Sequence, residues 1–448
     1  MRIAELVFLI ILVVYHAILL APRHRRIFAL NYLVFAAGIA LGVSLGLEGL
    51  RWQMLPGIAV LLIDLLYLFP TLRTLRGQLP NKGFFSALAR GFRSLVSSAM
   101  FLLAVGCAAV CLLFPLPQVP LSGGLAVGFK TVHFPAASGQ PSKDVLVWYP
   151  ASGSSLPLKG PETNPAVWEA THARGGLPAY WQAYLEHSPS RYVQGGKLAK
   201  PNTRYPAVLL SVPSGDEALE FSWLATDLAS RGFVVVAARS PLASVAMAPF
   251  SWSSLQGQLL EPVLKPELWL EPERSLDTAP SGQVSQTPLL RLALAAMAQE
   301  PGDLLYEAID LKRVGSLAWK GSPGGQLVEG EAEGLASMVF LGDQPKGPRK
   351  SAVPELWVTG QASATDSVLD KSRWVLLLQS LHRADLTDAA YTKPFLAFFG
   401  LKSQADGRLH SIVREYLAAF FQFTLWGGDG TLLDAANAPV PGVRLLRK

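Results

Sequence analysis

Apolar positions fall along this chain in two regimes. Near the start they run almost unbroken through four windows of transmembrane length, 3–21, 27–46, 54–72 and 95–116. Beyond about residue 120 they break into short β-branched runs, many alternating with segments of helical spacing. The short runs at 128–134, 145–149, 207–212, 233–238, 313–319, 337–341, 355–359 and 374–381 read as strands, the last closing the sheet. Helical spacing recurs at 219–231, 289–299, 326–335 and, strongly amphipathic, at 412–426. Strands alternating with helices predict a mostly parallel sheet covered by helices on both faces. The expected organisation is a bundle of four transmembrane α-helices over 1–116, a linker rich in Pro, Gly and Ser over 117–127, and an α/β domain over 128–448. Irregular stretches near 151–204 and 241–288 read as loop or cap insertions.

Met1-Arg2 before an apolar run could open a signal peptide. No small-x-small cleavage site closes that run, and Ala21-Pro22 leads into Arg23-His24-Arg25-Arg26, so the window reads as a retained helix. Arg23, Arg25 and Arg26 crowd the first connection and Arg73, Arg76, Lys82, Arg90 and Arg93 the third, against Arg2 and Arg51 elsewhere. The bias toward basic cytoplasmic loops puts the N-terminus and the C-terminal domain outside the cytoplasm. Phe84, Phe85, Leu88 and Phe92, interleaved with Arg90 and Arg93, predict a short interfacial helix ahead of the fourth span. Asp64 lies in the third span with no other acid, Lys or His expected at its depth, and reads as an interhelical hydrogen-bonding group.

Composition sharpens this picture. A hydrophobic content of 50% and a mean hydropathy of +0.30 exceed those of ordinary soluble enzymes. The net charge of +6 and pI near 9.2 would suit nucleic acid, but much of the excess sits in the basic loops. Membrane lipids are therefore the expected partner, and nucleic acid is not. Cys107 and Cys111, the two cysteines of the chain, both fall in the fourth span, which leaves the outer domain without a disulfide. No His or carboxylate joins them, so they read as small packing residues. No cofactor is expected.

The candidate chemistry lies at strand ends. Ser322 follows one predicted strand, Asp343 the next and His382 the last, the chain order of a serine, acid and histidine triad. The segments YPAVLLSVPSG (205–215), WLATDLASRGFVVVAARS (223–240), IDLKRVGSLAWKGSPGG (309–325) and LHRADLTD (381–388) resemble successive core motifs of the α/β-hydrolase superfamily. They are most similar to platelet-activating-factor acetylhydrolase-like ester hydrolases, over about residues 128–426. Upstream, EGLRWQMLP (48–56) resembles membrane-anchored bacterial members of that group. The resemblance implies His382 as general base, followed by Thr387-Asp388, and Asp343 as the acid, with Asp366 as the alternative acid. His133, His172, His187 and His410 read as surface residues.

The nucleophile departs from the family pattern. Without a gap the family serine falls on Lys320; with a two-residue insertion it falls on Ser322, satisfying Ser-x-Gly-Gly. In that register Pro323 occupies the position whose backbone N–H should face the oxyanion, and proline has none. Where the family carries Ser-His-Gly in the other half of the oxyanion site, this chain has Ser211-Val212-Pro213. Two functions stay open: a noncatalytic relative that binds a lipid or ester or acts as a scaffold, and an active serine ester hydrolase acting on lipid-like or short acyl esters.

Overall fold

The computed structural model describes residues 3–20, 30–48, 52–74, 84–113, 121–134, 143–153, 192–212, 218–239, 286–319, 334–342, 353–360, 373–378, 381–387, 408–434 and 443–447. Contacts divide the chain into two compact units, one over Met1–Pro117 and one carrying the sheet.

The first unit holds four helices, α1 (Ile3–Leu20), α2 (Leu30–Glu48), α3 (Leu55–Thr74) and α4 (Phe84–Leu113). A single 3-10 turn, Trp52–Met54, leads into α3, where Pro56 sits in the first turn and its missing N–H costs nothing. Among the described residues, two helices are long and apolar enough to cross a membrane, through 3–20 of α1 and 95–112 of α4. In α2 and α3 the described apolar stretches cover 32–45 and 55–66, so among the described residues two of the four expected spans meet that length. The separate interfacial helix expected before the fourth span is corrected. No proline interrupts 84–113, and α4 runs through it as one helix of 30 residues.

The helical unit buries several polar side chains beside its apolar core and leaves large apolar ones on its outside. Glu5, His16, Ser44, Gln53 and Asp64 are buried, whereas Ile3, Ile10, Phe35, Ile39, Leu62, Leu66, Leu102 and Leu112 face outward. Asp64 is not alone at its depth: His16 Nε2 of α1 lies 3.0 Å from its Oδ2, an ion-pair contact not aligned as a hydrogen bond. The sequence reading missed this because the partners come from different helices, and only packing sets their common level.

Among the described residues the second unit has ten strands: β1 (Ala126–Phe134), β2 (Lys143–Ala151), β3 (Tyr192–Gln194), β4 (Tyr205–Ser211), β5 (Val234–Ala238), β6 (Ile309–Trp319), β7 (Ser337–Leu341), β8 (Glu355–Thr359), β9 (Arg373–Leu378) and β10 (Val443–Arg447). Their order is β10-β9-β8-β7-β6-β4-β5-β2-β1-β3. The six strands from β9 to β5 in this order run parallel, flanked by antiparallel β10 on one side and the antiparallel β1–β2 hairpin on the other. Alternate side chains supply two cores. Val208, Leu210, Leu317, Trp319, Val339 and Leu341 pack with helices α5 (Ser222–Ser230) and α7 (Arg408–Phe421). Ala207, Leu209, Met338 and Phe340 pack with α6 (Thr287–Gln299), whose Leu290, Leu294 and Met297 face the sheet. Burial on both faces explains why β4, β5, β7 and β8 read as continuous rather than alternating apolar runs.

Two strands go beyond the sequence expectation. β3 lies within the stretch read as irregular, and β10 follows the strand read as last. The helix expected over 326–335 falls almost entirely outside the described residues.

A buried charge cluster ties the start of this unit to its helices. Asp227 of α5 accepts hydrogen bonds from Ser122 through both its N–H (3.0 Å) and its hydroxyl, and from Arg414 of α7 (2.8 Å). Arg231 Nε lies 3.3 Å from the other carboxylate oxygen, and its Nη2 reaches Glu415 at 2.6 Å.

In the hairpin, Tyr149 is buried opposite Gly128 and donates to the Gly196 carbonyl at 2.7 Å. Burial, and then the charge of Asp303, push its phenol from the ordinary 10.0 to about 12. The folded state thus favours neutral Tyr149. Its contribution to stability is complete below pH 10 and is lost as pH rises from 10 through about 12. Denaturation followed across that interval should show a decline that Tyr149→Phe reduces.

Candidate active site

Among the six parallel strands the order reverses once. From β4 the chain adds β5 on one side and β6 on the other, which makes the carboxyl ends of β4 and β6 a topological switch point. In open α/β sheets this switch point is where ligands bind. The chain leaves β4 through Val212 and Pro213, and leaves β6 through Lys320, Gly321, Ser322 and Pro323. Because β4 through β9 are parallel, the exits of β7, β8 and β9, leading to Asp343, Asp366 and His382, lie along the same edge of the sheet.

The ends of β4 and β6 at the switch point are apolar. Val212 and Trp319 are buried, and Phe221, in the one-turn helix ahead of α5, meets Trp319 edge-on with ring centroids 5.9 Å apart. Ser211 ends β4 paired with Ala318, and its buried hydroxyl has no hydrogen-bond partner among the described residues. Pro213, Lys320, Ser322, Pro323, Asp343 and Asp366 themselves lie outside the described residues. The residue before Asp343 is described: Gly342 leaves β7 with φ 109°, a turn that glycine allows without strain, and its N–H donates to Val358 at 2.9 Å.

His382 is half-buried at the start of a single 3-10 turn, Arg383–Leu386. Its backbone N–H donates to Asp385 Oδ2 at 3.0 Å, and the Asp385 N–H returns a bond to the His382 carbonyl at 3.0 Å. Asp385 is buried and fixes the backbone on which the imidazole is carried, as a capping carboxylate does. Sequence reasoning missed this positioning residue, although the His-x-x-Asp spacing signals it. Just upstream, a Cβ on Gly360 would stand 3.1 Å from the Leu381 Cβ, so the absence of a side chain at the exit of β8 lets the His382 segment pack closely.

The other histidines divide. His133 is exposed and lies 2.7 Å from Asp144, as a surface residue would. His410 is buried in the first turn of α7, which corrects the surface reading. It is followed by Ser and preceded by Arg408 and Leu409, so local polarity suggested exposure, whereas the helix turns this position inward. His172 and His187 lie outside the described residues.

The fold defines an α/β protein with a mostly parallel sheet and a switch point between β4 and β6. No protein-family model and no curated protein matches the sequence. Among solved structures the chain is similar to a ferulic acid esterase from Streptomyces cinnamoneus, at 19% identity and a TM-score of 0.49, over 74% of this chain and 98% of that one. That likeness is too distant to assign an activity.

Proposed function

We propose that this chain is a membrane-held protein of the α/β-hydrolase fold, related to platelet-activating-factor acetylhydrolase-like ester hydrolases, in which ester hydrolysis is weak or lost and the switch point serves to bind a lipid or ester. The observation that carries this reading is that both strands flanking the switch point lead into proline, at Pro213 after β4 and Pro323 after β6. These are the loops whose backbone N–H groups would hold an oxyanion, and proline supplies none. Lys320, the first residue after β6, is no substitute nucleophile. Its ammonium must first lose a proton, and an acyl-lysine amide would not turn over. Membrane attachment is supported by the large apolar side chains on the outside of the helical unit, and the basic connections favour an outer location for the sheet-bearing unit.

An active serine ester hydrolase is the second reading. It is favoured by the order Ser322, Asp343, His382 in the sequence, each following a strand of the parallel set, with the His382 backbone held by Asp385. One experiment separates the two. Membranes carrying the full chain with a reporter after Lys448 are treated with a fluorophosphonate probe and assayed with p-nitrophenyl acetate. The expected result is a reporter active only outside the cytoplasm, no labelling of Ser322, and equal hydrolysis by the wild type and Ser322→Ala. Labelling at Ser322 with loss of hydrolysis in the variant would establish the enzyme, and a cytoplasmic reporter would overturn the orientation.

A further inference from the structure

The interior of the four-helix unit gathers three sulfur atoms from two helix segments. Cys107 and Cys111 stand one turn apart on α4, both buried and neither in a disulfide. Met54, in the turn leading into α3, brings its thioether Sδ to 3.9 Å from Cys111 Sγ. The Cys107 thiol donates to the backbone carbonyl of the neighbouring Gln53 at 3.1 Å. Gln53 is itself fully buried, and neither polar atom of its side-chain amide has a hydrogen-bond partner among the described residues. An unsatisfied buried amide is costly in an apolar interior unless something binds beside it.

We propose that Met54, Cys107 and Cys111 form a trigonal, all-sulfur site for the soft monovalent ion Cu(I). Thiolate and thioether ligands are soft and select Cu(I) over the hard cations that take oxygen, while a structural zinc site would call for a fourth ligand. The spacing fits: three sulfurs around a trigonal ion, with bonds near the ~2.3 Å of metal–thiolate contacts, stand about 4 Å apart. Cys111 and Met54 already have that separation. Binding converts Cu(I) and two thiols into a bis-thiolate complex with the release of two protons, and no electron is transferred. One net negative charge remains inside, and the N–H groups of the Gln53 amide are donors suited to it. Read as sequence, the cysteine pair lacked a third ligand because no His or carboxylate accompanied it. The missing ligand is a methionine 57 residues away.

The test is a titration of the reduced, detergent-solubilised full chain with Cu(I) under anaerobic conditions, delivered from a chelator buffer. The expected result is one Cu(I) per chain with an X-ray absorption spectrum showing a shell of three sulfurs. Met54→Leu, which keeps the packing volume, should leave two sulfurs in that shell. Its affinity should fall by at least the about 10- to 100-fold that even outer-shell partners contribute. Cys107→Ser and Cys111→Ser should each weaken binding further. A nitrogen or oxygen shell in the wild type would overturn the proposal, as would the same stoichiometry in wild type and the double cysteine variant. The wild-type spectrum and Met54→Leu decide the matter even if the serine variants fold poorly.

Discussion

Pro323→Gly is expected to bring Ser322-dependent ester hydrolysis above background, with a gain of up to about 100- to 1000-fold, the worth of one oxyanion donor. The substitution returns a backbone N–H to the position after the serine and leaves Ser322, Asp343 and His382 untouched. Initial rates with p-nitrophenyl acetate, compared with those of Ser322→Ala carrying the same glycine, measure the gain. Pro213 still blocks the donor on the β4 side, so Pro213→Gly in the same chain should add a further increase. If Lys320 holds the sharp turn after β6, Pro323→Gly will change nothing, and Lys320→Ser will be the substitution that creates turnover. The pair of variants thus assigns the register as well as testing the proline.

Asp227→Ala should lower the stability of the sheet-bearing unit by about 3–5 kcal/mol, the usual cost of removing one member of a buried ion pair. The substitution removes the acceptor of Ser122 and takes from Arg414, itself almost wholly buried, its carboxylate. Arg231 loses its nearest buried counter-charge and keeps the half-exposed Glu415. Denaturant unfolding of the full chain in detergent, followed by the fluorescence of tryptophans in the sheet, provides the measurement. A change below about 1 kcal/mol, the scale of surface pairs, would mean that the cluster is solvated in solution.

Legibility in the sequence followed burial. β7 and β8 were bounded to the residue because each is a five-residue segment, fully buried, with an apolar centre between polar or turn-forming residues. β10 was missed for the opposite reason. VRLLR is short and mixes charge with apolar residues, and its strand state depends on pairing with β9, which lies 65 or more positions earlier. Of the site, the order of the strands was legible: β6, β7, β8 and β9 follow one another in the sheet and run parallel, and the segments carrying Ser322, Asp343, Asp366 and His382 follow their ends in the sequence. What escaped was whatever depends on two distant segments meeting. His16 and Asp64 share a depth only once α1 and α3 are packed, and Met54 joins the cysteines only because the turn into α3 folds against α4. His410 shows the same limit within one helix, where a polar stretch hides an inward-facing position.

The antiparallel ribbon at the far side of the sheet has a consequence for biosynthesis. Until residues 443–447 have cleared the ribosome, β9 presents a row of unsatisfied amides and carbonyls to any passing strand. A chain interrupted before that point would carry an adhesive margin, and the pairing of β10 with β9 is what blunts it.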